Sequence, residues 1–172
     1  MMHVMHDLYT TFDIRYTKQK TMLGQLTEGQ IDHVLHAQVL GRIGCYAAGK
    51  IYIVPVTYVY HQGYIYAHSK EGQKVQMMRS NPNLCFQVDT MENMKNWRSV
   101  IVWGKYEELK TAKEQEAGMK IITDRLAPFI TSETVHPSHG HSRPPEIVEK
   151  GFKAVVYRIK VLEKTGRFEK NG

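Results

Sequence analysis

Residues 58–83 place two strand-like runs, a turn and a short helical pattern in immediate succession, and that order constrains the fold more than any other stretch. Tyr58-Val59-Tyr60 is β-branched and aromatic, His61-Gln62-Gly63 is a turn, and Tyr64-Ile65-Tyr66-Ala67-His68-Ser69 runs back as a second strand. Lys70-Glu71-Gly72-Gln73-Lys74 then opens a helical pattern over 71–79 that stops at Asn81-Pro82, where proline ends it. The hairpin thus delivers a hydroxyl, an imidazole, a glycine and an ammonium to the start of a helix. Helix starts carry unpaired N–H groups and positive partial charge, so an anion placed there is stabilised and a lysine adds a full charge. Gly72 admits a close approach to the backbone, and Ser69 can donate a hydrogen bond or cap the helix. The same residues equally suit a Ser-capped surface helix with an ordinary lysine in its first turn, so the motif by itself leaves both readings open.

At 172 residues and 42% hydrophobic content the chain can bury one good core, which predicts a single domain. The excess of 23 Lys+Arg over 17 Asp+Glu gives a formal charge of +6 and favours an anionic ligand. The positive residues are scattered, without the basic block of a nucleic-acid tail, and a small phosphorylated molecule fits the charge as well as nucleic acid does. Cys45 and Cys85 each sit inside an apolar run, which predicts two buried, reduced thiols. Residues 1–20 contain no signal-type apolar stretch, and no run approaches the roughly 18 apolar residues that span a bilayer, so the expectation is a soluble, cytoplasmic protein.

Thr27-Glu28-Gly29-Gln30 has the form of a capping box, with Ile31, Val34 and Leu35 following at helical spacing, and predicts a helix over 27–37. Strands are predicted around Leu40, Ile43 and Cys45, over 51–60, over 64–69, over 84–88, over 99–108 and over 153–162. Ala48-Gly49-Lys50 is a turn, Pro55 marks a strand edge or bulge, and Gly104 a bulge. A second helix is predicted over 113–126, while 90–96 and 131–145 read as irregular. Six strands with helices between them suggest an antiparallel barrel with helical decoration.

Taken in order, Gly41-Arg42-Ile43-Gly44, Pro55-Val56-Thr57-Tyr58-Val59-Tyr60, the Gly63 to Ser69 strand with Gly72 and Lys74, Asn81-Pro82 before Cys85-Phe86-Gln87-Val88, and Trp97-Arg98-Ser99-Val100-Ile101-Val102-Trp103-Gly104 resemble the pyridoxamine 5′-phosphate oxidase-like FMN-binding split-barrel proteins, in particular the nitroimidazole-resistance branch. The resemblance implies a mostly β, six-stranded antiparallel split barrel over about 27–162 with residues 1–26 as an extension. It also implies a homodimer with one FMN in each of two grooves at the interface. In that family the strand matching Pro55, Val56, Thr57 and Tyr58 lies along the flavin and contributes backbone groups. The segment matching Ala67, His68, Ser69, Gln73 and Lys74, with Gly72, surrounds the phosphate and ribityl chain, and Arg98 and Ser99 match positions that reach toward the flavin, in part from the second subunit. A histidine matching His68 is associated with the active pocket of the nitroimidazole-resistance branch; here it is either a proton donor or a residue that only hydrogen-bonds the phosphate or a carbonyl.

The resemblance has limits. The oxidases end in an Arg-x-His type substrate segment that residues 165–172 lack, which argues against pyridoxamine phosphate as substrate, and Gln73 stands where many oxidases carry a second basic residue. The implied function is reduction of a small electron-poor substrate such as a nitroimidazole; the alternatives are a flavin-binding sensor or carrier without turnover, and a haem-binding relative of the same barrel. His136, His139 and His141 form the densest histidine cluster, read as a solvated loop beside the groove and not as a metal site. Tyr52, Tyr58, Tyr60, Tyr64 and Tyr66, at period two, read as core and interface packing in preference to base stacking. No nucleic-acid or membrane partner is expected.

Overall fold

The computed structural model describes residues 21–129 and 154–171. In chain order the elements are β1 (Thr21–Gln25), α1 (Glu28–Ala37), β2 (Leu40–Ala47), β3 (Lys50–Thr57), β4 (Val59–His61), β5 (Tyr64–Lys70), α2 (Gln73–Ser80), β6 (Asn83–Asn93), β7 (Asn96–Glu108), α3 (Ala112–Leu126) and β8 (Ala154–Asn171). The sheet runs β3-β2-β6-β7-β8-β5-β4, antiparallel throughout, with β1 added to β8.

The two ends of that order, β3 and β4, are separated by one residue, Tyr58, so a flat sheet is impossible. The sheet rolls until its edges meet, and the result is a split barrel. Tyr58 holds the corner: its N–H donates to the Val39 carbonyl (2.9 Å), its hydroxyl donates to the Leu35 carbonyl (2.9 Å), and its fully buried ring packs edge-on to Phe86 at 4.7 Å. The strand expected over 51–60 is therefore broken in two here.

Inside the barrel lie Ile43, Ile65, Val75, Met78, Phe86, Val88, Val100, Val102, Tyr157 and Ile159. Each fully buried aliphatic side chain of this set contributes about 1.5–3 kcal/mol of transfer free energy. α1 closes one end with Ile31, Val34 and Leu35, started by the reciprocal Thr27–Gln30 capping box that its sequence foretold. α3, begun by a second box of Thr111 and Glu114, covers the outer face of β4, β5 and β8 through Ile122, Leu126, Tyr66 and Val156.

Three expectations are corrected. Residues 90–96 are not an irregular loop: β6 runs to Asn93 and β7 starts at Asn96, with Met91 opposite Trp97, Asn93 opposite Asn96 and a two-residue turn at Met94-Lys95 between them. The last strand does not stop at 162 but extends to Asn171, paired with β7 along most of its length and with β1 at its end. The extension is also not all outside the barrel, because β1 and the buried Leu26 belong to it. In all three places the apolar alternation is interrupted, and backbone pairing with a neighbouring strand supplies what the pattern lacks. Pro55 does lie on an edge strand, and the register shifts at Trp103/Gly104, where a bulge was expected. Cys45 is buried, but Cys85 is only half-buried; both are free thiols, one position out of register on adjacent strands and so on opposite faces of the sheet. The His136 to His141 cluster lies outside the described residues. Among the described residues no helix is long and apolar enough to cross a membrane.

Candidate functional site

The corner where β5 passes into α2 is built by the residues singled out from the sequence. α2 begins at Gln73 with Gly72 as N-cap, and no side chain hydrogen-bonds its free N–H groups. This differs from α1 and α3, whose boxes each satisfy two of theirs. Ser69 is not the cap: its hydroxyl donates to the Lys70 carbonyl at 3.0 Å. Gly72 is extended, at φ 170°, and a Cβ built on it meets nothing within 4 Å, so the space above the helix start is open.

Lys74 is half-buried, its ammonium 5.9 Å from the centre of the Tyr157 ring. Burial is the main influence on it and pulls its pKa below the ordinary lysine value, with the nearby Cys45 acting in the opposite sense. No carboxylate lies within ion-pair distance of it among the described residues. Beneath it, Tyr157 is fully buried with its hydroxyl oxygen lacking a hydrogen-bond partner, and burial pushes that hydroxyl's pKa far up. A half-buried cation beside open N–H groups, with no carboxylate to answer it among the described residues, has the chemistry to take an oxyanion.

The corner is held by residues that the sequence did not point to. Arg79 donates to both oxygens of Glu108, at 2.6 and 2.8 Å, and to Glu71 at 2.7 Å, while the Tyr106 hydroxyl donates to Glu108 at 3.0 Å. One guanidinium thus pins the loop before α2 and the end of α2 to the end of β7. Arg79 lies 8 positions after Glu71, which precedes the helix, and 29 before Glu108, so spacing gave no signal.

Strand alternation sorts the remaining candidates. Ala67 and Ser69 share the inner face of β5 with the Tyr157 register, whereas His68 lies opposite Val156 on the other face, with Tyr66 and the α3 cluster. On β3, Val56 and then Tyr58 point into the core, so only their backbone groups can face a ligand; Pro55 and Thr57 lie on the outer face. Among the described residues β3 pairs only with β2, which leaves the other side of its backbone without a strand partner. On β7, Ser99 faces outward, where Gln87 donates to it at 3.3 Å, and Arg98 points the other way. Arg98 is also ten residues from Glu108 along β7, about 33 Å at the usual rise, so it and the α2 corner stand at opposite ends of one barrel. Within one chain, then, Ala67, Ser69, Gly72, Gln73 and Lys74 come together with the β3 edge close to β5, and Arg98 and Ser99 do not join them. No group of three or more His, Cys, Asp or Glu side chains is placed to hold a metal among the described residues.

The fold and this corner can be set beside known proteins. The sequence profile described as pyridoxamine 5′-phosphate oxidase matches residues 27–168. The chain belongs to the pyridoxamine 5′-phosphate oxidase family. Within this family of split barrels it is similar to the crystal structure of an FAD-binding protein from Mesorhizobium loti, 26% identical over 88% of this chain and all of that one, with a TM-score of 0.70. It is also similar to a candidate 5-nitroimidazole antibiotic-resistance protein from Bacteroides thetaiotaomicron, 17% identical over 88% of this chain and 92% of that one, with a TM-score of 0.62. An uncharacterised Rhizobium meliloti protein is 40% identical over 76 residues, 44% of this chain and half the length of that relative.

Proposed function

We propose that this family member binds FMN at the α2 corner and acts as a flavin-dependent oxidoreductase on a small electron-poor acceptor such as a nitroimidazole. The observation that carries the reading is the start of α2: uncapped N–H groups, open space over Gly72, and the Lys74 ammonium without a carboxylate. A terminal phosphate supplies the missing anion, through charge-assisted hydrogen bonds to Lys74 and the helix N–H groups. One ammonium and one helix start, with the neutral Gln73 beside them, match a single phosphate and so favour FMN over FAD. Family membership supports a flavin, as does the relative described as FAD-binding, and the relative described as a nitroimidazole-resistance protein supports the acceptor class. When bound, the flavin supplies two-electron chemistry between a nicotinamide donor and the acceptor.

The chain's own part is to hold and shield. Lys74, Ser69 and the α2 N–H groups anchor the phosphate, and the open backbone side of β3 at Pro55 to Thr57 offers hydrogen bonds to a planar heterocycle's polar edge. The outer face of β2, β3, β6 and β7 exposes Leu40, Ile51 (76%), Ile53 (65%) and Trp103. We assign that face to a second copy of the chain, whose docking removes this apolar surface from water. A second copy is also the route by which Ser99, on that outer face, reaches a flavin anchored at α2, since within one chain it lies too far along β7; Arg98 points away from that face. His68 receives no proton-transfer role on the phosphate side, because it shares its face of β5 with Tyr66 and Val156.

The test is spectroscopic. Purified protein should take up FMN with saturation, bleach under anaerobic reduced nicotinamide, and recolour when a 5-nitroimidazole is added. Protein that ignores FMN overturns the cofactor assignment, and a Soret band would point to the haem-binding relative. Flavin that is bound and reduced but never reoxidised by the nitroimidazole overturns the reductase and leaves a carrier or sensor.

A further inference from the structure

A cavity lies at the other end of the barrel from the α2 corner, between the first turns of α1 and the start of β7. It measures about 340 Å³ and is lined by Thr27, Gly29, Gln30, His33 and Arg98. The volume falls at the small end of the range for small-molecule sites.

The donors there outnumber the acceptors. Arg98 is exposed and makes no ion pair or hydrogen bond among the described residues, whereas Arg42, Arg79 and Arg158 are each paired with a carboxylate. The two acids of the neighbouring α1 surface do not neutralise it: Asp32 and Glu28 are both taken by Lys164, at 2.6 and 3.4 Å. Among the described residues no carboxylate lines the cavity. The capping box already uses two of the N–H groups at the helix start, since the Thr27 hydroxyl accepts from Gln30 N–H and the Gln30 side-chain oxygen accepts from Thr27 N–H. That box uses the oxygen of Gln30 and leaves its amide NH2 available, so the walls present a guanidinium fork, a carboxamide NH2 and an imidazole. This set suits an oxyanion, which the planar guanidinium can take in two parallel hydrogen bonds.

We infer that the α1–β7 cavity, built on Arg98 with Gln30 and His33, binds the carboxylate or phosphate of a small organic anion. This site is separate from the α2 corner in the same chain, and its occupancy does not require a flavin.

Benzoate and phenyl phosphate serve as probes, with benzyl alcohol as the neutral counterpart, titrated into flavin-free protein while the Arg98 Nε–Hε and His33 ring signals are followed by NMR. Both anions should shift those signals with saturation and benzyl alcohol should not. Arg98→Gln should weaken benzoate about tenfold or more, the loss of a charge-assisted contact, and Arg98→Lys should restore part of it. His33→Ala, at an exposed position, should weaken both anions by a smaller factor. Arg98 is exposed and unpaired, so thermal unfolding of its variants should match the parent and exclude a folding artefact. Absence of saturable shifts in the parent, equal binding by Arg98→Gln, or equal binding of benzyl alcohol each overturns the site. Binding of phenyl phosphate alone, moved by Lys74→Met and not by Arg98→Gln, would assign the anion to α2 and likewise overturn it.

Discussion

Replacing Lys74 with methionine should change stability and ligand affinity in opposite directions. In the free protein the ammonium is half-buried without a carboxylate, and its favourable contact is the Tyr157 ring at 5.9 Å. A cation at that outer limit gains at most about 0.5–1 kcal/mol from a ring, while burial has already lowered its pKa, which marks desolvation as the larger effect. Methionine keeps the length and removes the charge, so the flavin-free variant should be more stable, by on the order of 1 kcal/mol. The pH dependence carries the same signature. A lysine with a lowered folded pKa binds fewer protons folded than unfolded between that value and 10.5, so parental stability rises across this window as the charge penalty is relieved. Lys74→Met should lose that rise. With FMN the sign reverses: loss of one charge-assisted contact to phosphate, about 1.5–3 kcal/mol, weakens binding roughly 10- to 150-fold. Urea denaturation across the alkaline range and flavin-fluorescence titration measure the two quantities. A variant that binds FMN as tightly as the parent would show that the phosphate is held elsewhere, and a variant that denatures more easily would show that the ammonium stabilises the barrel where it lies.

Glu108→Gln should remove part of the acid sensitivity: the Arg79 hydrogen bonds hold this carboxyl below its usual 4.5, so its contribution is complete above about that pH and is lost as pH falls through the lowered value. The partly exposed pair limits the loss at neutral pH to on the order of 1 kcal/mol, read from denaturant midpoints. Gly104→Ala places a Cβ 2.8 Å from the Lys160 carbonyl oxygen and 2.5 Å from Ile159, and should destabilise by about 1–3 kcal/mol, whereas Gly29→Ala, which meets nothing within 4 Å in the first turn of α1, should stabilise by up to about 1 kcal/mol. Thermal melts of the two variants should therefore move in opposite directions. Ile53→Glu, on the exposed outer face, should yield a monomer by analytical ultracentrifugation with an unchanged far-ultraviolet circular dichroism spectrum; a persistent dimer would move the interface elsewhere.

The barrel strands were legible wherever apolar residues alternate, as in Ile43/Cys45 or Val100/Val102, and the α1 cap could be read directly from Thr27 and Gln30. The continuation of β8 was not, because its inner-face positions there are Lys164, Gly166 and Phe168, of which only one is a large apolar residue. Lys164 is tolerated on that face because its ammonium reaches out of the barrel to Asp32, and Gly166 because Leu26 and Ile31 fill the space of a side chain. At the site, the residues around Gly72 were adjacent in sequence and came together as expected. The opposite orientations of His68 and Ser69, and of Arg98 and Ser99, follow from period two and were available in principle. The separation of Arg98 from α2 was not, since it depends on the register that ties Glu108, at the far end of β7, to Arg79.

The position of β8 bears on how the chain refolds. It follows every other described element in sequence, yet lies between β7 and β5 in the sheet. Before it docks, β3-β2-β6-β7 and the β4–β5 hairpin are two fragments with raw hydrogen-bonding edges turned toward each other. Closure then depends on pairings between distant parts of the chain, which places refolding on the slow, millisecond-to-second side of the two-state range. During that interval the open edges of β5 and β7 are templates for strands of other molecules, so aggregation should scale with protein concentration early in refolding and cease once β8 is seated.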